Sequence, residues 1–258
     1  MARMILTTSW DDGHVDDLRV AEMLSRHGLT GTFYVPRASF LPVMADAKVR
    51  ELAGVHEVGA HTMTHPDLTR CDDREAQRQI LDSRAWVSDV TGRGCEVFCP
   101  PWGRFLTRDR LLIAQVGYAG FRTVEGWSVA RPQRHPGLYE MRTTLQAFPH
   151  GLRAPLFNLT KRRAVGALWR FVRFGRGTWV DQARRLLDHC STHGGVFHLW
   201  GHGWEVNQAN LWDDLDRVLT MMASYLPQAQ AMTNGELCHA WTPKRRVPAA
   251  ATVAPAAG

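Results

Sequence analysis

The chain has 258 residues, 45% hydrophobic and 22% charged, which fits one well-buried globular core and excludes a disordered or fibrous chain. No run of about twenty apolar residues occurs, so no transmembrane helix is expected. The formal net charge is +6, which admits anionic lipid or phosphorylated partners; for nucleic acid the charge is the only argument, and no nucleic-acid partner is expected.

In chain order, residues 4–8 predict a strand, 15–27 a helix ended by Gly28, 31–35 a strand and 46–53 a helix. Residues 57–60 follow as a strand. A helix over 72–91 carries Asp72, Asp73 and Glu75 at its first turn and Gly92 past its end. A strand over 96–99 leads to a helix over 107–116, with Thr107 and Asp109 at its start and Gly117 after it, and then to a strand over 119–123. Helices over 161–174 and 181–193, a strand over 195–200, a helix over 211–225 and a short strand over 231–233 complete the pattern. Residues 1–241 read as one catalytic domain and 242–258, rich in Ala and Pro, as a disordered tail. Alternating strands and helices define an α/β fold of βα units, whose loops at the strand C-termini converge on one face. Asp11, Asp12, Cys99, Arg122 and His202 all fall at such ends.

Two segments carry chemistry. Thr7-Thr8-Ser9-Trp10-Asp11-Asp12-Gly13-His14 ends a strand in two adjacent carboxylates, which repel and cost desolvation unless a cation sits beside them. His61-Thr62-Met63-Thr64-His65 offers two imidazoles four residues apart, a spacing that puts both rings on one side of a helical turn and lets them share a metal. One Asp and two His leave coordination positions open, as in a catalytic rather than a structural site. With a divalent ion on Asp12, His61 and His65, Asp11 is placed to act as general base and His202 to protonate a leaving nitrogen. The competing readings are a helix cap for the aspartates and a polar loop before Pro66 for the histidines. His198 competes with His202, but strand alternation favours a buried structural role for it.

These segments resemble conserved motifs of the polysaccharide deacetylase (NodB-like, carbohydrate esterase) family. Ser9-Trp10-Asp11-Asp12-Gly13 is similar to its first motif, His61-Thr62-Met63-Thr64-His65 to its second, Phe98-Cys99-Pro100-Pro101-Trp102-Gly103 to its third and Leu199-Trp200-Gly201-His202 to its last. The resemblance implies a distorted (β/α) barrel of about seven parallel strands, fewer than the eight-stranded form. It assigns the same roles to Asp11, Asp12, His61, His65 and His202. It further implies that the backbone N–H of Trp102 holds the oxyanion and that Leu199 lines the acetyl pocket. His14 and Arg122 are placed with the substrate-facing residues, and Glu205 is placed to orient His202.

The third motif of the family usually opens with an arginine that buttresses the catalytic aspartate, where this chain has Cys99. Cysteine cannot supply a bidentate cation, so Arg122 is the expected replacement, ahead of Arg104. Glu125-Gly126-Trp127 is a partial match to a further Asp/Trp-rich motif. Trp10, Trp102, Trp127, Trp200 and Trp204 flank the site segments, where aromatic rings stack on sugars or simply fill the core.

The expected function is a metal-dependent hydrolase that removes an N-acetyl group from an amino sugar or sugar conjugate. Zinc is the first choice of cofactor, with cobalt or manganese able to substitute. Alternatives are another amide hydrolase of this fold, such as a deformylase or cyclic-amide hydrolase, or an inactive carbohydrate-binding relative. The N-terminal residues show no apolar leader and the five cysteines no disulfide framework, so a cytoplasmic location is expected. That location suits a phosphorylated or lipid-linked sugar. The basic segment 161–176, with Leu168, Trp169, Phe171, Val172 and Phe174 among its arginines, admits peripheral membrane contact, a phosphate-binding lid or an ordinary solvated face.

Overall fold

The computed structural model describes residues 4–150 and 165–241. The proposed tail, 242–258, and the start of the basic segment, 161–164, lie outside the described residues.

The long first strand β1 (Met4–Asp11) is buried at every position. It lies between β9 (Gly195–Gly201) on one edge and two strands on the other. Of these, β10 (Ala229–Ala231) pairs with Met4 to Leu6, and β2 (Thr32–Val35) with Ser9 to Asp11. Beyond β2 the sheet continues in parallel through β3 (Glu57–Ala60), β4 (Val97–Phe98), β5 (Gly120–Arg122) and β7 (Leu138–Met141), with β6 (Gln133–His135) antiparallel at that edge. The opposite edge is β8 (Leu145–Gln146), parallel to β9. The two edges are joined by irregular backbone: Trp127 N donates to Thr144 O (2.9 Å), Thr143 N to Glu125 O (3.0 Å) and Thr144 N to His198 O (2.9 Å). The result is an α/β half-barrel of mostly parallel strands.

The helices are α1 (Asp17–Arg26), α2 (Asp46–Leu52), α3 (Asp73–Thr91), α4 (Thr107–Val116), α5 (Val165–Phe174), α6 (Trp179–His193), α7 (Gly203–Gln208), α8 (Trp212–Ser224) and α9 (Asn234–Trp241). Their ends follow local chemistry. Asp72 accepts from Glu75 N at 2.7 Å and Gly92, at φ 67°, closes α3. At α4 the cap differs from the expected one: Asp109 reaches back to accept from Leu106 N at 2.7 Å, and Thr107 is the first helical residue. No described helix is long and apolar enough to cross a membrane.

Alternation along β1 divides two cores. Met4 and Leu6 join the cluster between sheet and helices, and Ile5 joins Tyr34, Val97, Met141 and Val196 inside the curved sheet. The inner core is closed at the N-terminal ends of the strands by α9. Its first residue, Asn234, accepts from Thr7 Oγ1 (3.0 Å), donates to Tyr34 OH (2.9 Å) and gives its backbone N–H to Thr32 Oγ1 (2.8 Å). With that end plugged, the open end lies at the strand C-termini, where Asp11 and His202 emerge.

Six of the expected strands are present as β1 to β5 and β9, and the seventh, expected over 231–233, lies two residues earlier as β10 (Ala229–Ala231). Sequence periodicity missed β6, β7 and β8, which are two to four residues long, and the helices α7 and α9. Runs that short are below what a periodicity of two or 3.6 can register.

Candidate active site

Asp12 and Gly13 turn the chain off β1 in left-handed conformations, φ 77° and 60°. A Cβ on Gly13 would stand 2.6 Å from Val35 Cγ1, so glycine is required there. The turn brings Asp12 Oδ1 to 3.1 Å from His65 Nε2 and 3.6 Å from His61 Nε2, all three residues being buried. These three side chains form a group with donor atoms close enough to hold one metal ion. His61 Nδ1 donates to Cys99 O at 2.7 Å, which sets the tautomer and leaves Nε2 as an electron-pair donor facing Asp12. Trp204 Nε1 donates to Asp12 Oδ2 at 2.9 Å, leaving Oδ1 toward the histidines.

The histidines do not share a helical turn, contrary to the expectation from their spacing. The segment is a loop with Thr62 at φ 69° and His65 at φ 55°. Gln79 on α3 holds it, its Oε1 accepting from Met63 N (2.8 Å) and Thr64 N (2.9 Å), while Thr62 Oγ1 accepts from His65 N at 3.0 Å. Side-chain acceptors thus take the place of the helical ladder.

Arg122, fully buried at the end of β5, donates through Nη2 to Asp11 Oδ1. Its guanidinium lies over the rings of Tyr34 (5.3 Å) and Trp200 (5.0 Å). Burial works against ionisation of Asp11, but the charges of Arg122, His61 and His202 outweigh it and hold the carboxyl below the ordinary carboxylate range. Cys99 packs its sulfur 3.9 Å from Asp11 Oδ2, and burial pushes its thiol up, away from nucleophilic use. Arg104 lies elsewhere, paired with Asp67 at 2.9 Å.

His202, just past β9, stands 4.0 Å from Asp11 Oδ2 and 3.9 Å from Asp12 Oδ2 through Nε2. Its Nδ1 donates to Glu205 Oε2 at 2.6 Å, and the same oxygen accepts from Gln146 Nε2 at 2.9 Å. Burial alone would depress His202, but Glu205, Asp11 and Asp12 raise it above the usual imidazole value. His198 is different. It is fully buried inside the sheet, donates Nδ1–H to Arg142 O (3.1 Å) and pairs Nε2 with Ser9 Oγ (2.9 Å), and burial with the charge of Arg122 lowers it to about 3.

These groups sit in a cavity of about 550 Å³. Asp11, Asp12, His61, His65, His202 and Glu205 all line it, together with Trp102, whose ring meets His65 edge-on at 4.6 Å. Trp102 is 49% exposed and left-handed, φ 52°, after Pro100-Pro101. Three expected residues are elsewhere. Arg122 is fully buried behind Asp11 and does not line the cavity. Leu199 is buried in the cluster between sheet and helices, and its neighbour Trp200 lines the cavity, because consecutive strand residues face opposite ways. His14 is not among the lining residues; its Nδ1 accepts from Asp16 N at 3.2 Å. Trp10 is likewise core. Sequence reasoning missed the walls formed by Phe40, Gln146, Phe148, His150 and Phe171. No local pattern marks them, since they come from separate parts of the chain: Phe40 from the segment after β2, Gln146, Phe148 and His150 from β8 and the segment after it, and Phe171 from α5.

Residues 2–121 match the family model described as Polysaccharide deacetylase. Peptidoglycan-N-acetylglucosamine deacetylase PgdA of Listeria monocytogenes is 34% identical over 100 residues, 38% of this chain and 21% of that protein. A chitooligosaccharide deacetylase of Rhizobium leguminosarum bv. phaseoli is 43% identical over 76 residues, 29% of this chain and 33% of the relative. The matched stretches therefore span a third or less of these relatives. Among solved structures, a family 4 carbohydrate esterase from Streptomyces lividans in complex with acetate superposes with TM-score 0.55 and 16% identity, covering 92% of this chain and 96% of that one. Puue allantoinase superposes with TM-score 0.70 and 12% identity, covering 95% and 92%. At such identities the superpositions establish the fold, which two activities share. The sequence match is what carries the likeness: residues 2–121, just under half of the chain, are similar to the polysaccharide deacetylase family.

Proposed function

We propose that the chain is a metal-dependent hydrolase that removes an N-acetyl group from an amino sugar or sugar conjugate. The observation that carries the reading is the convergence of Asp12 and two imidazole Nε2 atoms beside a second carboxylate and opposite the His202 imidazole. The donor set fits a borderline divalent ion, zinc first, with cobalt or manganese as substitutes. Such an ion, when bound, lowers the pKa of water and polarises an acyl oxygen.

The protein's own groups supply the rest. Arg122 occupies Asp11 Oδ1 and leaves Oδ2 on the cavity side, facing His202, as the atom that takes the proton of the attacking water. His202, its Nδ1–H anchored on Glu205, gives the Nε2 proton to the departing amine. The Trp102 backbone N–H serves the oxyanion, and Trp200 in place of Leu199 supplies the apolar wall near His202. Trp102, Trp127 and Trp204 offer ring faces to a sugar. We place the reaction in the cytoplasm, on a phosphorylated or lipid-linked sugar. The free thiols of Cys71, Cys95, Cys99 and Cys190 support that location, and cell fractionation tests it.

The decisive assay is acetate release from N-acetylated sugars, nucleotide sugars, lipid-linked sugars and oligosaccharides. Chelation should abolish it and zinc, cobalt or manganese restore it. Asp11→Asn and His202→Ala should each cost about 10²–10⁴-fold in kcat while metal still binds. One tightly bound metal equivalent with no acetate from any substrate would overturn the reading in favour of another acyl group or a binding role.

A further inference from the structure

Helix α5 has two apolar faces. Ala167 and Phe171 point inward, Phe171 packing edge-on against Trp127 (5.2 Å) and lining the catalytic cavity. Arg170 fixes this orientation by donating to Trp127 O. A second stripe, Val165, Trp169 and Val172, follows the i, i+4, i+7 spacing on the outer side and stays 78%, 54% and 68% exposed. A helix of a globular protein needs only one such face. The helix contains no acidic residue, and Trp169 and Val172 line a shallow depression with Arg173, Arg176 and Arg185. Arg185 is committed to the helix end, donating to Phe174 O at 3.1 and 3.0 Å and to Arg176 O. On α6, Asp181 is tied into the cap at Thr178 (2.8 Å), and Asp188 accepts from the Tyr225 hydroxyl. Among the described residues, Arg176 and Arg173, the latter with its guanidinium 5.8 Å from the Phe174 ring, therefore remain as the cations flanking the apolar stripe.

We infer that the outer face of α5 docks the protein on an anionic membrane surface, with Trp169 and Val172 at the acyl boundary and Arg173 and Arg176 among the headgroup phosphates. Exposed tryptophan and valine with flanking arginines and no acid is the chemistry an anionic bilayer complements, whereas a neutral protein surface would leave the arginines unanswered. The docked helix also walls the cavity through Phe171, so a sugar carried at the bilayer would meet the site directly. The inference does not depend on the proposed acyl chemistry.

The test is co-sedimentation of the full chain with vesicles of pure phosphatidylcholine and of phosphatidylcholine mixed with phosphatidylglycerol, at low and high salt. Binding is expected to the mixed vesicles only, and to weaken as salt rises. Arg173→Gln with Arg176→Gln should lower that affinity roughly thirty-fold. Trp169→Ser with Val172→Ser should lower it by about an order of magnitude or more. Circular dichroism and metal content should match the parent in both. No binding to mixed vesicles, or equal binding by both folded variants, would overturn the inference. A dimer that becomes monomeric in Trp169→Ser with Val172→Ser, without any vesicle binding, would overturn it by assigning the face to a second copy of the chain.

Discussion

At the scale of single residues, the instructive pair is Cys99 and Arg122. The resemblance puts an arginine at the position of Cys99, and this chain carries the charge on the next strand, where Arg122 reaches the same carboxylate from β5. Removing it leaves Asp11 buried without its cation, a class of change that costs about 3–5 kcal/mol. Arg122→Ala is accordingly expected to lower both the thermal midpoint and acetate release sharply. Arg122→Lys should recover less than half of the stability, since an ammonium lacks the planar fork that lies between Tyr34 and Trp200. Adding Cys99→Arg to Arg122→Ala should restore part of the activity. If it restores none while the double variant folds, the position of the cation matters and not only its charge.

At the scale of elements, the junction of α1 and α7 shows how two helix starts aim a catalytic side chain. Gly203 N donates to Asp17 Oδ1 at 3.0 Å, and a Cβ on Gly203 would meet that oxygen at 2.5 Å and the Asp17 backbone N at 2.8 Å. Gly203→Ala is expected to destabilise by about 1–3 kcal/mol through overpacking. It should also lower kcat, because α7 carries Glu205 and begins next to His202. Gly166 in α5 is the contrast: its added Cβ would meet only the flexible end of Arg170, at 3.6 Å. Gly166→Ala should stabilise by about 0.5–1 kcal/mol with activity unchanged. Thermal melts of the two variants check both signs. The elements themselves were legible wherever caps and glycines punctuate a long apolar pattern, as in α3 with Asp72 and Gly92. They were not legible at β6, β7 and β8, whose few residues are strands only because β7, β5 and β9 respectively supply hydrogen-bond partners.

At the scale of the whole molecule, the curved sheet encloses polar groups that only its closure satisfies. His198 is the test case, its imidazole held between Ser9 and Arg142 O. Burial, reinforced by the positive charge of Arg122, depresses its folded pKa from 6.5 to about 3. The unfolded chain therefore binds a proton between those values that the folded chain does not, so stability falls as pH drops from 6.5 toward 3. Each pH unit in that window costs about 1.4 kcal/mol from this group when fully expressed. His198→Gln should flatten the acid side of the stability curve relative to the parent, measured on metal-free protein so that ligand protonation does not contribute. Parallel acid limbs in the two proteins would mean that His198 is not the titrating group.

Residues 9–13, 61–65, 98–103 and 199–202 were readable from the sequence because strand ends followed by Asp, His or Gly are written in consecutive letters, and so was the α/β alternation that brings them to one face. The tertiary structure decided the rest. Arg122 meets Asp11 across 111 positions, and the cavity walls Phe40, Phe148 and Phe171 come from three distant segments, the last of them helix α5. The histidine loop takes its shape from Gln79 on α3, and Leu199 yields the cavity to Trp200 through the pleat of β9. None of these leaves a local mark, because each depends on a partner that only folding brings within bonding distance and not on the order of neighbouring residues.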